Sequence, residues 1–218
     1  MQATTNGRLW GMRARVWATL QEQQCRALYE AVLDATAAPA GTRYLDVGCG
    51  TGFAVSLGHA RGYTVSGVDA ASASIAVAKE RTSSADLRVG ELERLPFGDA
   101  SFELVTGFNS FQYAANPVEA LREAARVTVP GGTIVMAAWA KPESSDAGRI
   151  VGALKQFMPA PPPGTPGPFA LSEDGALRAL VADAGLEPGA SAEVDCHWIY
   201  PDLQSGVAGL GSSGVAVR

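Results

Sequence analysis

Apolar and polar positions follow one another along this chain in two rhythms. Short apolar runs occur at Tyr44–Val47, Thr64–Val68, Leu87–Val89, Phe102–Gly107 and Thr133–Ala138, the length and composition of buried strands. Between them the apolar residues return every three or four positions, as with Ile75, Val77 and Ala78 inside Ala71–Arg81, or Leu121, Ala124, Ala125 and Val127 after Asn116-Pro117. A helix is also expected from about Phe53. Strands alternating with helices predict an α/β fold around a mostly parallel sheet.

The flanks read differently. Leu9, Met12, Val16 and Leu20, then Leu28, Val32 and Ala35, predict two helices that stop at Pro39 and Gly41. Residues 1–40 are therefore expected to form a helical cap on a domain spanning 41–218. Met158–Pro168, dense in Pro and Gly, excludes helix and inner strand and predicts a stiff connector over the mouth of a site. Ser72 is expected to cap the helix over 71–81. Ser172-Glu173-Asp174 should cap a helix carrying Leu177, Leu180, Val181 and Ala184, and Ala192–Tyr200 predicts a further strand. Beyond it, Gly206, Gly209, Gly211 and Gly214 among serines predict a mobile segment with little to pack, and no last antiparallel strand is evident.

The first strand breaks into Gly48-Cys49-Gly50-Thr51-Gly52, glycines at alternate positions that let the backbone turn tightly and approach a ligand before a helix starts. The second strand ends in Asp69, where a mononucleotide-binding βαβ unit places a carboxylate against a ribose. The third glycine comes one residue early for a dinucleotide fingerprint, and Phe53 follows it, which tells against NAD. An NAD-linked oxidoreductase keeps only the shared βα geometry in its favour.

Leu45-Asp46-Val47-Gly48-Cys49-Gly50-Thr51-Gly52 with Asp69 resembles the first motifs of the class I S-adenosylmethionine-dependent methyltransferases. Gly90-Glu91-Leu92-Glu93-Arg94-Leu95-Pro96-Phe97 and Arg126-Val127-Thr128-Val129-Pro130-Gly131-Gly132-Thr133-Ile134-Val135 extend the likeness, which is nearest to the type 11, ubiquinone- and menaquinone-biosynthesis-like, small-molecule branch. The resemblance implies a Rossmann-like, doubly wound fold with S-adenosylmethionine as cofactor. It also implies roles: Asp46 with Gly48, Cys49, Gly50 and Gly52 at the methionine part, Asp69 at the ribose, and Ala70 on one adenine face. Glu91 and Leu92 would meet the adenine edge, although the family more usually has Asp at the first of these, and Phe108 would lie near the sulfonium. Trp17 and Gln21 are candidates for the roof over the cofactor. Asn109 is followed by Ser110 and Phe111, so the Asn-Pro-Pro-Tyr signature of enzymes methylating amide or ring nitrogens is absent.

Composition narrows the function. The net charge is −5 and the arginines are scattered, which argues against a nucleic-acid substrate. Three cysteines, Cys25, Cys49 and Cys196, without a C-x-x-C pair, fit reduced thiols in a cytoplasmic protein and no metal site. No stretch is long enough for a membrane span. Methyl transfer from a sulfonium needs alignment more than acid–base help. His59 should be a surface residue, and His197 on the expected last strand is the weak candidate for a base, against a structural or surface role. Trp10, Trp17, Tyr113, Trp139, Trp198 and Tyr200 predict a small, partly apolar methyl acceptor. A protein of this fold that holds the cofactor without transferring its methyl group is the alternative. The acceptor and the oligomeric state are not specified by the sequence.

Overall fold

A computed structural model describes residues 2–155 and 167–217 of the 218-residue chain. Its centre is a five-stranded, all-parallel sheet of order β3-β2-β1-β4-β5, with β1 Arg43–Val47, β2 Thr64–Asp69, β3 Asp86–Val89, β4 Phe102–Phe108 and β5 Thr128–Ala137. Successive residues of each inner strand face opposite layers, because side chains alternate across a sheet. Tyr44, Val65 and Leu104 join one apolar cluster, whereas Leu45, Val68 and Val105 join the other. Strands covered on both faces explain the unbroken apolar runs.

The helices, in chain order, are α1 Gln2–Gly11, the single turn α2 Ala14–Val16, α3 Arg26–Thr36, α4 Phe53–Ala60 and α5 Ser72–Arg81, then α6 Pro117–Val127, α7 Asp146–Lys155, α8 Ala176–Asp183 and α9 Leu203–Leu210. Leu33 of α3, Val55 of α4, and Ile75 and Ala78 of α5 cover one face; Leu121 and Ala124 of α6 and Leu180 of α8 cover the other. Asn116 caps α6, its side chain accepting from the amides of Val118 and Glu119, with Pro117 in the first turn. The other two expected caps are not formed. Ala71 occupies the cap position of α5 and Gly175, at φ 78°, that of α8, each without a side-chain bond.

Three expectations are corrected. The segment before β1 is not two helices: between α2 and α3 the chain passes through a π-helical turn at Trp17–Gln21 and a 3-10 turn at Glu22–Cys25. Such breaks cluster at functional sites. Pro130-Gly131-Gly132 does not precede β5 but bulges within it, where the pairing jumps from Phe102 with Thr128 to Leu104 with Thr133. Ala192–Tyr200 is not a strand. Its backbone at Ile199 pairs with the side chain of Gln24, whose Nε2 donates to the Ile199 carbonyl at 2.9 Å and whose Oε1 accepts from the Ile199 amide at 2.8 Å. A side-chain amide has the donor and acceptor of a peptide unit, so it satisfies the segment away from the sheet. The expected connector over Met158–Pro168 lies outside the described residues except for its last two.

Candidate cofactor and acceptor site

The strand order reverses between β1 and β4, and an open α/β sheet offers its crevice at such a switch, beyond the carboxyl ends of the strands. A cavity of about 220 Å³ lies there. After β1 the backbone bends through Gly48 at φ 77° and Gly50 at φ 53°, left-handed conformations that side chains disfavour. A Cβ built on Gly48 would fall 2.3 Å from the Cβ of Ser110, so its absence also lets the β4 loop close over the bend.

Asp69, ending β2, is clasped from two sides. Its Oδ2 accepts from the Gly50 amide at 2.9 Å and its Oδ1 from the Ala71 amide at 2.7 Å. Burial pushes its pKa up against these bonds, which favour the carboxylate. Asp46 is buried deeper. Its Oδ1 accepts from the Thr106 hydroxyl at 2.7 Å, and that hydroxyl lies 2.7 Å from the Tyr44 hydroxyl. Desolvation, partly opposed by the Thr106 bond and reinforced by the Asp69 charge, pushes the Asp46 carboxyl up to about 7.

The amino-terminal segment roofs the bend. Glu22, only 2% exposed, accepts from the Thr51 hydroxyl and is paired with Arg81, whose Nη1 also donates to the Thr51 carbonyl at 2.7 Å. Burial raises the Glu22 pKa, with Arg81 and Thr51 opposing. Gly7 of α1 sits on the Ala70 backbone, since a Cβ there would come within 2.3 Å of the Ala70 carbonyl oxygen. Tyr29 of α3 reaches the cavity between Phe53 and Phe108, edge-on to both rings.

The carboxyl-terminal chain closes the other side. The Tyr200 hydroxyl donates to Gln21 Oε1 at 2.6 Å, and Trp198 meets Trp139 edge-on at 5.9 Å between centroids. Interaction with Cys196 and burial raise the Cys25 thiol, whereas interaction with Cys25 draws Cys196 down to about 6. The region expected to be mobile folds into α9 and a turn, and Leu210, Ser213, Val215 and Ala216 line the cavity. All four tryptophans of the chain, Trp10, Trp17, Trp139 and Trp198, line it too.

Of the residues singled out from the sequence, Asp46, Gly48, Cys49, Gly50, Asp69, Ala70, Leu92 and Phe108 line this one cavity. Trp17 and Gln21 do so as well. Three do not. Gly52 lies at the start of α4, where a Cβ would fall 2.7 Å from that of Ala78, so it serves the contact between α4 and α5. Glu91 is exposed and outside the lining, and Glu93 reaches the cavity from the same loop, its Oε1 accepting from the Ala115 amide at 2.6 Å. His197 is exposed and also outside the lining. Glu22, Tyr29 and the helix α7, with Ala147, Ile150 and Val151 on the cavity, went unnoticed in the sequence. Ala147, Ile150, Val151 and Leu154, spaced three or four apart, are the available helical signal in α7.

The cavity suits an adenosyl sulfonium. Asp69 stands at the end of β2 accepting from two amides, and a Cβ built on Gly50 would meet nothing within 4 Å, leaving room above the bend. The comparisons agree. The family profile described as "Methyltransferase domain" matches residues 45–136. A demethylmenaquinone methyltransferase of Renibacterium salmoninarum is 36% identical over 119 residues, covering 55% of this chain and 50% of that protein. A ubiquinone biosynthesis O-methyltransferase of Maricaulis maris is 33% identical over 151 residues, covering 67% of this chain and 59% of that protein. The chain thus spans between half and three fifths of these relatives' length. In fold it is similar to the crystal structure of an S-adenosylmethionine-dependent methyltransferase from Aquifex aeolicus, with a TM-score of 0.65 at 20% identity over 84% of this chain and 92% of that one. With the glycine bend, the clasped Asp69 and the strand order already in place, residues 45–136 match the methyltransferase-domain family.

Proposed function

We propose that this protein is a methyltransferase that uses S-adenosylmethionine to methylate a small, largely apolar molecule. The observation that carries the reading is a single cavity with a polar floor of Asp46, Gly50 and Asp69 and a wall containing every tryptophan of the chain. Bound S-adenosylmethionine supplies a methyl group already activated by its positive sulfur.

The chain's own residues orient and shield. Asp69, pinned by two amides, takes ribose hydroxyls, and Asp46 takes the ammonium of the methionine part. The bend at Gly48–Gly50 lets the backbone pass close beneath. Ala70 and Leu92 bracket the adenine, with α1 over Ala70. The Glu22–Thr51–Arg81 cluster holds residues 1–40 down as a cap, and the cap together with residues 198–216 excludes water, which leaves alignment of the acceptor as the main source of rate. The aromatic wall receives a flat apolar acceptor and faces the passing positive charge with π-electron density. Two of the relatives are named for quinone biosynthesis, which supports an acceptor of this ring-containing kind.

Calorimetric titration with S-adenosylhomocysteine is expected to give one site per chain at micromolar affinity. No heat at millimolar ligand overturns the reading. Transfer of label from a methyl-labelled donor to a small molecule in a cell extract is the second expectation, and tight binding without transfer would leave a non-catalytic cofactor-binding protein of the same fold.

A further inference from the structure

Buried polar side chains around the cavity are almost all satisfied: Asp46 by Thr106, Asp69 by two amides, Glu22 by Thr51 and Arg81, Gln21 by Tyr200, Gln24 by Ile199. The three exceptions among the described residues fall within four consecutive positions after β4. Asn109 Oδ1, Ser110 Oγ and Gln112 Oε1 are covered and have no hydrogen-bond partner. Gln112 is not part of the cavity lining, but Asn109 and Ser110 belong to it, and Ser110 is only 6% exposed. Orphaned oxygens at a site wall need an explanation, since native proteins seldom leave them.

The backbone here is held for a purpose other than its own comfort. Asn109 has φ 51°, a left-handed conformation, while its amide donates to the Ala137 carbonyl at 2.9 Å and so locks the end of β4 to β5. Strain of this kind persists where surrounding structure enforces it, and gathers at ligand sites. The turn carries Ser110 over the bare Cα of Gly48, directly above the glycine bend. Both residues line the cavity, and both oxygens retain free acceptor capacity. Trp10, Trp139 and Trp198 line the same cavity and supply its large apolar surfaces.

We propose that Asn109 and Ser110 form the polar end of the acceptor subsite and receive the hydrogen of a hydroxyl carried by an otherwise apolar ring. The inference rests on the function proposed above and adds to it the class of acceptor: a phenol-like molecule rather than a pure hydrocarbon or an ether. The two oxygens anchor the hydroxyl end and thereby fix which atom of the ring system stands before the methyl group. They are positioning residues that select among acceptors.

The probes are 2-naphthol and 2-methylnaphthalene, equal in shape, followed by tryptophan fluorescence on protein first saturated with S-adenosylhomocysteine. The methyl compound is the more apolar, so an aromatic wall alone would favour it. A hydrogen bond to a desolvated acceptor is expected to reverse this, with 2-naphthol binding about tenfold more tightly. Asn109→Gly keeps the left-handed backbone while removing the carboxamide, and Ser110→Ala removes the hydroxyl; the double variant is expected to erase the preference for naphthol and leave the affinity for S-adenosylhomocysteine within about threefold. Equal binding of the two probes to the wild type overturns the inference. So does a preference that survives in the double variant, or a variant whose main loss is in S-adenosylhomocysteine affinity, since the oxygens would then serve the cofactor. Failure of the first saturation step instead removes the methyltransferase reading itself.

Discussion

Glycines gather twice in this chain, at 48–52 and at 206–214, and the two clusters use opposite properties of the same residue. In the first, Gly48, Gly50 and Gly52 all have positive φ, and the bend exists because the backbone can enter the left-handed region. In the second, none of Gly206, Gly209, Gly211 and Gly214 does. What matters there is the missing side chain: a Cβ on Gly209 would lie 2.9 Å from the Tyr200 ring and 3.0 Å from Gln21 Oε1, and one on Gly214 would lie 2.7 Å from the Trp10 ring. One cluster shapes the backbone floor of the site; the other lets the last helix and turn pack tightly onto the cap. A glycine-rich stretch is therefore a sign of mobility only when nothing approaches it.

The comparison breaks most sharply at Gly48. Gly48→Ala meets both penalties at once, a left-handed alanine at about 1–2 kcal/mol and a clash with Ser110 at about 1–3 kcal/mol, so chemical denaturation should show a loss of about 2–5 kcal/mol. Gly50→Ala separates the two, because its Cβ meets nothing. Stability should fall by about 1–2 kcal/mol, and S-adenosylhomocysteine affinity should fall far more than that cost implies.

The first cluster is also tied to a titrating group and the second is not. The Asp46 carboxyl is raised from 3.8 to about 7, so between those values the folded chain keeps a proton that the unfolded chain releases. The sign follows: this contribution to stability is complete below pH 3.8, declines as pH rises, and is gone above about 7. It amounts to a few kcal/mol at most. Asp46→Asn should flatten that part of the stability profile measured by denaturant unfolding from pH 4 to 8. Cofactor affinity should weaken below pH 7 in the wild type, as the carboxyl that meets the ammonium becomes neutral.

At the second cluster the effects are smaller. Gly209→Ala gains about 1 kcal/mol of helix propensity and loses about 1–3 kcal/mol to crowding, for a net destabilisation of about 1 kcal/mol by thermal unfolding. S-adenosylhomocysteine binding should stay within about twofold, in contrast to Gly50→Ala. The smallest perturbation tests the closure of the same region on the cap. Cys196, drawn down to about 6 chiefly by its interaction with Cys25, should be alkylated by iodoacetamide at pH 7 well before the buried Cys25, as read by peptide mass spectrometry, with no change in unfolding midpoint before the second thiol reacts.

The parts of the site that were legible in the sequence are those written within one βα unit. Asp46, the bend and Asp69 are fixed by a strand, a turn and a count of residues, and the structure brings them to one cavity. Glu91 illustrates the limit of that reasoning. Glu91 is exposed and outside the lining while Glu93, two residues on, lines the cavity, and in a short loop no sequence spacing decides which of two such carboxylates reaches the hollow. Glu22 and Tyr29 were invisible because their meaning comes from partners far along the chain: Thr51 and Arg81 for the first, Phe53 and Phe108 for the second.

By itself the sequence determined the alternation of strands and helices, the parallel sheet and the glycine bend, because those depend on periodicity, on backbone conformations open to few residues, and on spacings of a dozen or two residues. Only the tertiary structure decided where the chain after residue 190 goes. Ala192–Tyr200 has the composition of a strand, but two glutamines of the cap, Gln21 and Gln24, hold its end, and the glycines behind it allow the close contact that completes the wall. Contacts between residues 175 or more positions apart are chosen by shape and hydrogen bonding in the folded state, and no local pattern encodes them.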